Sequence, residues 1–211
     1  MSAPLRLAVH GASGRLGQLV VAEAQAAGVY AGPIGREGDV PDANVVIDLS
    51  RPEGTAALLP RLSGQALLIG TTGALPWAAL QAYAERAPVQ ISANFSAGLP
   101  LLLELVRQAV PALPPGWDIE IVELHHKHKA DAPSGTSLRL EAAAGRPVVH
   151  HSLRAGDAVG EHTVYLCGPG ERLELKHVAT RREVFAIGAL REARALLSAP
   201  PGLRGGPTAA P

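Results

Sequence analysis

Val9-His10-Gly11-Ala12-Ser13-Gly14-Arg15-Leu16-Gly17 joins an apolar run at 5–9 to a helical pattern at 15–27 that stops at Gly28. The spacing is G-x-x-G-x-x-G. Glycines at these intervals permit a tight strand-to-helix turn and let backbone N–H groups approach a pyrophosphate, and the helix N-terminus favours anionic phosphate. The pattern alone carries little weight in a chain with 23 glycines. Its place between a first strand and a first helix is the context that gives it meaning. A tight turn that holds no ligand is the competing reading.

Outward from this loop, apolar runs at 45–49, 66–69 and 89–91 alternate with helical patterns at 54–62 and 77–87. Residues 29–34 read as a second strand, with Pro33 suited to its end or to an irregular stretch. Runs that are apolar throughout fit strands covered on both faces, as in a parallel sheet flanked by helices. The expected fold class is therefore α/β, with an N-terminal Rossmann-like doubly wound parallel sheet. Beyond residue 98 the character changes. A helix at 99–110 is closed by Pro111, Pro114 and Pro115, and 118–124 (DIEIVEL) alternates with period two. A helix at 136–144 and β-like pieces at 161–166, 173–178 and 183–187 point to a second, smaller α+β domain with a mixed sheet. The expected division is 1–94 for dinucleotide binding, with 190–198 as a candidate completion, and 95–189 for the second domain. Residues 199–211 (APPGLRGGPTAAP) read as a disordered tail.

Composition narrows the function classes. The chain has 211 residues, 47% hydrophobic but only 3% aromatic, so its core is aliphatic. Nineteen basic side chains balance nineteen acidic ones, which argues against a nucleic-acid binder with a broad basic surface. No apolar run approaches the roughly 18 residues of a membrane span, and the N-terminus lacks the pattern of a signal peptide. The single cysteine, Cys167, forms no intrachain disulfide and fits a reducing compartment. The expectation is a cytoplasmic protein with neither nucleic acid nor membrane as partner.

Two further stretches carry chemistry. Gly35-Arg36-Glu37-Gly38-Asp39 follows the second strand. An acid there binds the ribose 2′-hydroxyl of NAD, whereas Arg accommodates the 2′-phosphate of NADP; Arg36 favours NADPH, while Glu37 and Asp39 leave room for NADH. Residues 123–136 (ELHHKHKADAPSGT) leave a strand and enter a helix. The chain has three lysines against sixteen arginines, and two of the three, Lys127 and Lys129, stand here beside His125, His126 and His128. Pro133, Ser134, Gly135 and Thr136 lie where orphan helix N–H groups can hold a carboxylate. The histidines and lysines can neutralise negative charge and exchange protons. Three readings stand: a site for a small polyanionic acid, a metal site, and a solvated charged loop. Adjacent histidines point apart in an extended strand and two lysines repel a divalent ion, so no metal is expected.

Together these residues resemble the dihydrodipicolinate reductase (4-hydroxy-tetrahydrodipicolinate reductase) family. Segment 123–137 is similar to that family's signature. So are GASGRLG at 11–17, VIDLSRPE at 46–53, IGTTG at 69–73 and SANFSAG at 92–98, and later GEHT, GERL and FAIGAL, ending at 190. The resemblance implies that Gly11, Ala12, Ser13, Gly14, Arg15 and Leu16 hold the cofactor's pyrophosphate and that Arg36 faces its 2′-phosphate. It places Gly70, Thr71 and Thr72 beside the nicotinamide, and Ser92, Ala93, Asn94 and Phe95 around the same pocket. It implies His125 as proton donor and acceptor, Lys129 as proton donor, and His126, Gly135 and Thr136 as ligands of the substrate's carboxylates. The implied reaction is NAD(P)H-dependent reduction of a cyclic dicarboxylic acid, 4-hydroxy-tetrahydrodipicolinate, with loss of water, in lysine and diaminopimelate biosynthesis. The implied assembly is a homotetramer formed through the second domain's sheet.

The chain also departs from the family. It is short between Arg36 and Val45, Gly35 stands where an acid is common, and Leu49-Ser50 replaces Phe-Thr. The alternative is an NADPH-binding paralogue that acts on a related cyclic imino acid or does not turn over. Retention of both His125 and Lys129 speaks against loss of turnover.

Overall fold

Every residue of β1 (Leu7–His10), β3 (Val45–Asp48) and β4 (Ala66–Ile69) is buried, because these short strands lie inside a sheet covered on both faces. The structure is a computed structural model and describes residues 4–205. It divides into two units: one takes the chain to Phe95 and again from Glu183, and the other is Ser96–Arg182.

In the first unit β2 (Tyr30–Ile34), β5 (Pro88–Ile91) and β10 (Gly202–Arg204) complete a parallel sheet in the order β10-β5-β4-β3-β1-β2. Alternate residues feed opposite cores. Leu7, Val9, Val45, Ile47 and Leu68 pack with Val20 and Ala24 of α1 (Arg15–Ala26) and with α6 (Glu183–Leu196). Ala8, Val46, Leu67 and Ile69 pack with Leu58 of α2 (Pro52–Leu58) and Leu80 and Tyr83 of α3 (Trp77–Ala84). β1 lies between β2 and β3, so the winding reverses there. Ligands of doubly wound sheets bind beyond the strand C-termini at such a point.

Three expectations are corrected in this unit. Residues 183–187 begin a helix, not a strand: Ala186, Ala189, Leu190, Ala193 and Leu196 are buried at helical spacing. The return to the first unit therefore comes at Glu183, ahead of 190. Residues 199–205, expected within a disordered tail, carry β10, whose Leu203 pairs with Val89 and packs on the core. The rest of that expectation, 206–211, lies outside the described residues. Pro33 sits inside β2, where it is tolerated because β2 is an edge strand.

The second unit is a four-stranded mixed sheet, β7-β6-β8-β9. β6 (Asp118–His125) runs parallel to β7 (Val149–Arg154) and antiparallel to β8 (Gly160–Gly168), which pairs antiparallel with β9 (Glu171–Ala179). The sequence reading passed over β7, because its VHHSLR pattern leaves Val149 and Leu153 exposed. Ile119, Ile121, Val164 and Leu166 line the inner face and meet α4 (Gly98–Ala109) and α5 (Gly135–Ala144). Period two continues past this apolar row, so Glu123 and then His125 follow Ile121 on the same inner side. Among the described residues no helix is long and apolar enough to cross a membrane.

Candidate active site

The first unit carries the glycine loop. Gly11 adopts φ +78°, and its carbonyl accepts the N–H of Gly14 at 3.0 Å. Gly17 brings helix α1 onto the loop, for a Cβ there would lie 2.1 Å from Gly11 O. Among the described residues no side chain caps Gly14, and the first turn of α1 holds no acid. Its opening N–H donors thus suit an anion, and the cradle fits a pyrophosphate. The loops holding Gly11 to Leu16, Arg36, Gly70 to Thr72 and Ser92 to Phe95 leave the C-terminal ends of β1, β2, β4 and β5, along one edge of one sheet.

These residues differ in environment. Arg36 is exposed, in a loop braced by Arg61, whose guanidinium donates to the carbonyls of Gly35 (2.9 Å), Arg36 (3.4 Å) and Gly38 (2.8 Å). Thr71 is buried and donates to Asp48 O at 3.4 Å, whereas Thr72 is exposed. Ser92 Oγ and Gln90 Nε2 both donate to Glu192 Oε2, at 2.5 and 2.6 Å. Ala93 is exposed and Asn94 half-buried, while Phe95 is a core residue. At the winding reversal, buried Asp48 pairs with His10 Nδ1 (2.9 Å) and accepts from Ser50 N (3.0 Å) and Thr55 Oγ1 (2.5 Å). Burial pushes its carboxyl up, and the bonds from His10, Ser50 and Thr55 together bring it below the ordinary range. In the sequence Asp48 stands within the 46–53 stretch with no feature that assigns it a role of its own.

In the second unit Glu123 is 0% exposed. One oxygen accepts from Arg154 Nη2 at 2.7 Å and from Ser134 N at 3.2 Å, and the other is bonded to His125 Nδ1. Burial pushes the carboxyl up, but hydrogen bonds from Arg154, Ser152 and His125 bring it down to about 2. Glu123 therefore stays ionised. Burial lowers the pKa of His125; Glu123 raises it, and Lys129 and Arg154 lower it further. His162, 3% exposed, meets the His125 ring edge-to-face at 5.0 Å and bonds Ser134 Oγ through Nε2 at 3.2 Å. Burial first, then the charge on His125, bring His162 down to about 3, so it is neutral at ordinary pH.

The neighbouring loop supplies cations and donors. Lys129 Nζ contacts both oxygens of Asp131, at 2.7 and 2.8 Å. The His126 and His128 rings lie 6.3 Å apart. Ser134 caps α5, its Oγ accepting from Ser137 N, so Gly135 and Thr136 occupy the first helical turn, where N–H groups face outward. The structure thus groups His125, Lys129, Gly135 and Thr136 around the β6–α5 connection. Glu123, Arg154 and His162, to which sequence reasoning gave no role, form the buried base of that group. The alternation that buries Ile119 and Ile121 pointed to Glu123, since a carboxylate on that face needs partners.

Glu123, His125 and His162 also bring three potential metal-ligand atoms within 4.8 Å of one another. The donor chemistry does not suit a cation. Arg154 already occupies Glu123, and the positive charges of Arg154 and Lys129 act on His125.

The family model described as "Dihydrodipicolinate reductase, C-terminus" matches residues 98–205. The chain is 42% identical to 4-hydroxy-tetrahydrodipicolinate reductase of Xanthomonas campestris pv. campestris, over 95% of both chains. It is 45% identical to the same-named protein of Stenotrophomonas maltophilia, over 94% of this chain and 95% of that one. In fold it is similar to dipicolinate-bound dihydrodipicolinate reductase from Paenisporosarcina sp. TG-14, with a TM-score of 0.73 and 20% identity over 95% of this chain and 97% of that one. A glycine cradle at a winding reversal, a histidine–lysine group on a mixed sheet, and this extended identity converge, and the chain belongs to the dihydrodipicolinate reductase family.

Proposed function

We propose that this chain reduces 4-hydroxy-tetrahydrodipicolinate to tetrahydrodipicolinate with loss of water, drawing the hydride from NADPH in preference to NADH, within lysine and diaminopimelate biosynthesis in the cytoplasm. The observation that carries the reading is the grouping of His125 and Lys129 with the open first turn of α5. The N–H donors and hydroxyl at Gly135 and Thr136 hold one substrate carboxylate, and His126 supports the other. His125 exchanges a proton at its Nε2 as the substrate's hydroxyl leaves as water. Lys129, released from Asp131, delivers the proton that accompanies reduction. In the first unit Gly11, Ala12, Ser13, Gly14, Arg15 and Leu16 cradle the pyrophosphate, and Arg36 takes the 2′-phosphate. Gly70, Thr71, Thr72, Ser92, Ala93, Asn94 and Phe95 shape the nicotinamide pocket. A nicotinamide bound there supplies the hydride; the protein supplies orientation, charge and protons.

The assembly is a homotetramer. Its support is the second unit's outer sheet face, where Val149 and Leu153 of β7 and Val178 of β9 stand exposed on the side away from α4 and α5. The test is NADPH oxidation with substrate generated in place by the preceding synthase. Turnover blocked by pyridine-2,6-dicarboxylate, and slower with NADH, is the expected result. NADPH binding without turnover overturns the reading in favour of a paralogue.

A further inference from the structure

We propose that Glu123, held by Arg154, is the positioning residue for His125: it fixes the tautomer that carries a proton on Nδ1 and leaves Nε2 to give and take the reacting proton. This rests on His125 as the proton-exchanging group. The geometry is specific. A wholly buried carboxylate joins three elements, taking His125 Nδ1 from its own strand, Arg154 Nη2 from β7 and Ser134 N from the cap of α5. With Nδ1 engaged, Nε2 is the ring's free end, and it faces Gly160, where a Cβ would come within 3.2 Å. A side chain at position 160 would crowd that atom. Through Ser134 the same carboxylate ties the proton exchanger to the helix start that offers donors to the substrate.

Arg154 acts in the opposite sense. Its Nη2 is shared between Glu123 and the Asp131 carbonyl (2.5 Å), and its Nη1 donates to Leu153 O (2.8 Å), so three acceptors hold the guanidinium against Glu123. An unopposed buried carboxylate would hold the imidazolium proton too tightly for transfer; a fixed guanidinium weakens that hold. The charged and titratable groups facing His125 are Glu123 on β6, Arg154 on β7, His162 on β8 and Lys129 in the following loop. Loss of the Glu123 charge therefore lowers the pKa of His125, and loss of the Arg154 charge raises it. Proximity of the two charges fixes the signs of these shifts, and the tautomer of His125 is the readout that a purely structural role would not move.

The experiment compares the pH dependence of kcat/KM, at saturating NADPH, in the full-length wild type, Glu123→Gln, Arg154→Met, Arg154→Lys and His125→Asn. Selective 15N-histidine NMR of the wild type reads the tautomer, with His125→Asn assigning the signal. Glu123→Gln is expected to lower kcat about 10²-fold with KM for NADPH unchanged. The histidine limb moves to lower pH in Glu123→Gln and to higher pH in Arg154→Met, and stays in place in Arg154→Lys. The NMR signal shows a bare Nε2. Limbs that do not move or move together, or a proton on Nε2, overturn the assignment. If Glu123→Gln does not fold, the Arg154 pair and the wild-type spectrum decide. The underlying reading of His125 fails by a different sign: His125→Asn would keep the wild-type rate and limb.

Discussion

Gly17→Ala sets two physical effects against each other, and the structure says which wins. In an open helix the substitution gains about 1 kcal/mol from helix propensity. At position 17 the added methyl would stand 2.1 Å from Gly11 O and 2.9 Å from Ala12 Cα. Ordinary contact is about 3.5 Å, so α1 and the glycine loop must part by roughly 1 Å or more. Overpacking of this kind costs about 1–3 kcal/mol and outweighs the propensity gain, for a net loss of up to about 2 kcal/mol. The same displacement pulls the opening N–H groups of α1 off the proposed pyrophosphate position. NADPH affinity should fall about tenfold, equivalent to roughly 1.4 kcal/mol. Gly14→Ala is the control, since its Cβ would lie 3.2 Å from the same oxygen, a contact relieved by a small shift, and its φ is −71°. It should change stability by less than about 1 kcal/mol. Urea unfolding and NADPH fluorescence titration measure both quantities. A Gly17→Ala protein that is more stable than wild type and binds NADPH as tightly refutes the argument.

Other outcomes follow from the same structure. Arg61→Ala frees the loop that carries Arg36, so NADPH should bind about 5–10-fold more weakly, a loss of roughly 1 kcal/mol, while NADH affinity is unchanged; equal weakening of both would show that the loop does not read the 2′-phosphate. The Glu123 carboxyl is held at about 2 against an ordinary 4.5. Because the folded value is depressed, its stabilisation is complete above 4.5 and is lost as pH falls toward 2. The loss is on the order of 3 kcal/mol, and urea midpoints across that window, compared with those of Glu123→Gln, measure it. Val149→Glu with Val178→Glu places charge on the outer sheet face and should dissociate the proposed tetramer, as light scattering after size exclusion would report; an unchanged mass moves the interface elsewhere.

The parts of the fold legible in the sequence were those with a local cause. Runs such as 45–48 and 66–69 announce buried strands because both faces are covered, and the glycine spacing announces the turn into α1. The 183–187 segment misled because Val184, Phe185 and Ile187 suit a strand locally; only packing against the first unit's sheet favours a helix whose small residues, Ala186 and Ala189, fit closely. β7 was missed because its apolar residues face outward, and β10 because Pro and Gly dominate its surroundings. At the candidate site the motif named the groups proposed to meet the substrate. Arg154 and His162 stayed hidden because they come from β7 and β8, and only the sheet register brings them to Glu123 and His125.

The pairing of β10 with β5 brings residues near 88 and 202 together, and α6 fills a core begun by Leu7 and Val9. Consequently the first unit cannot finish folding as the chain leaves the ribosome, since its last helix and edge strand emerge after all of Ser96–Arg182. The intervening unit has its sheet and core within one continuous stretch, so it can mature first. The first unit's sheet then waits with β5 as a temporary open edge, and that waiting period is when a chaperone, or a wrongly paired strand from another nascent chain, competes for it.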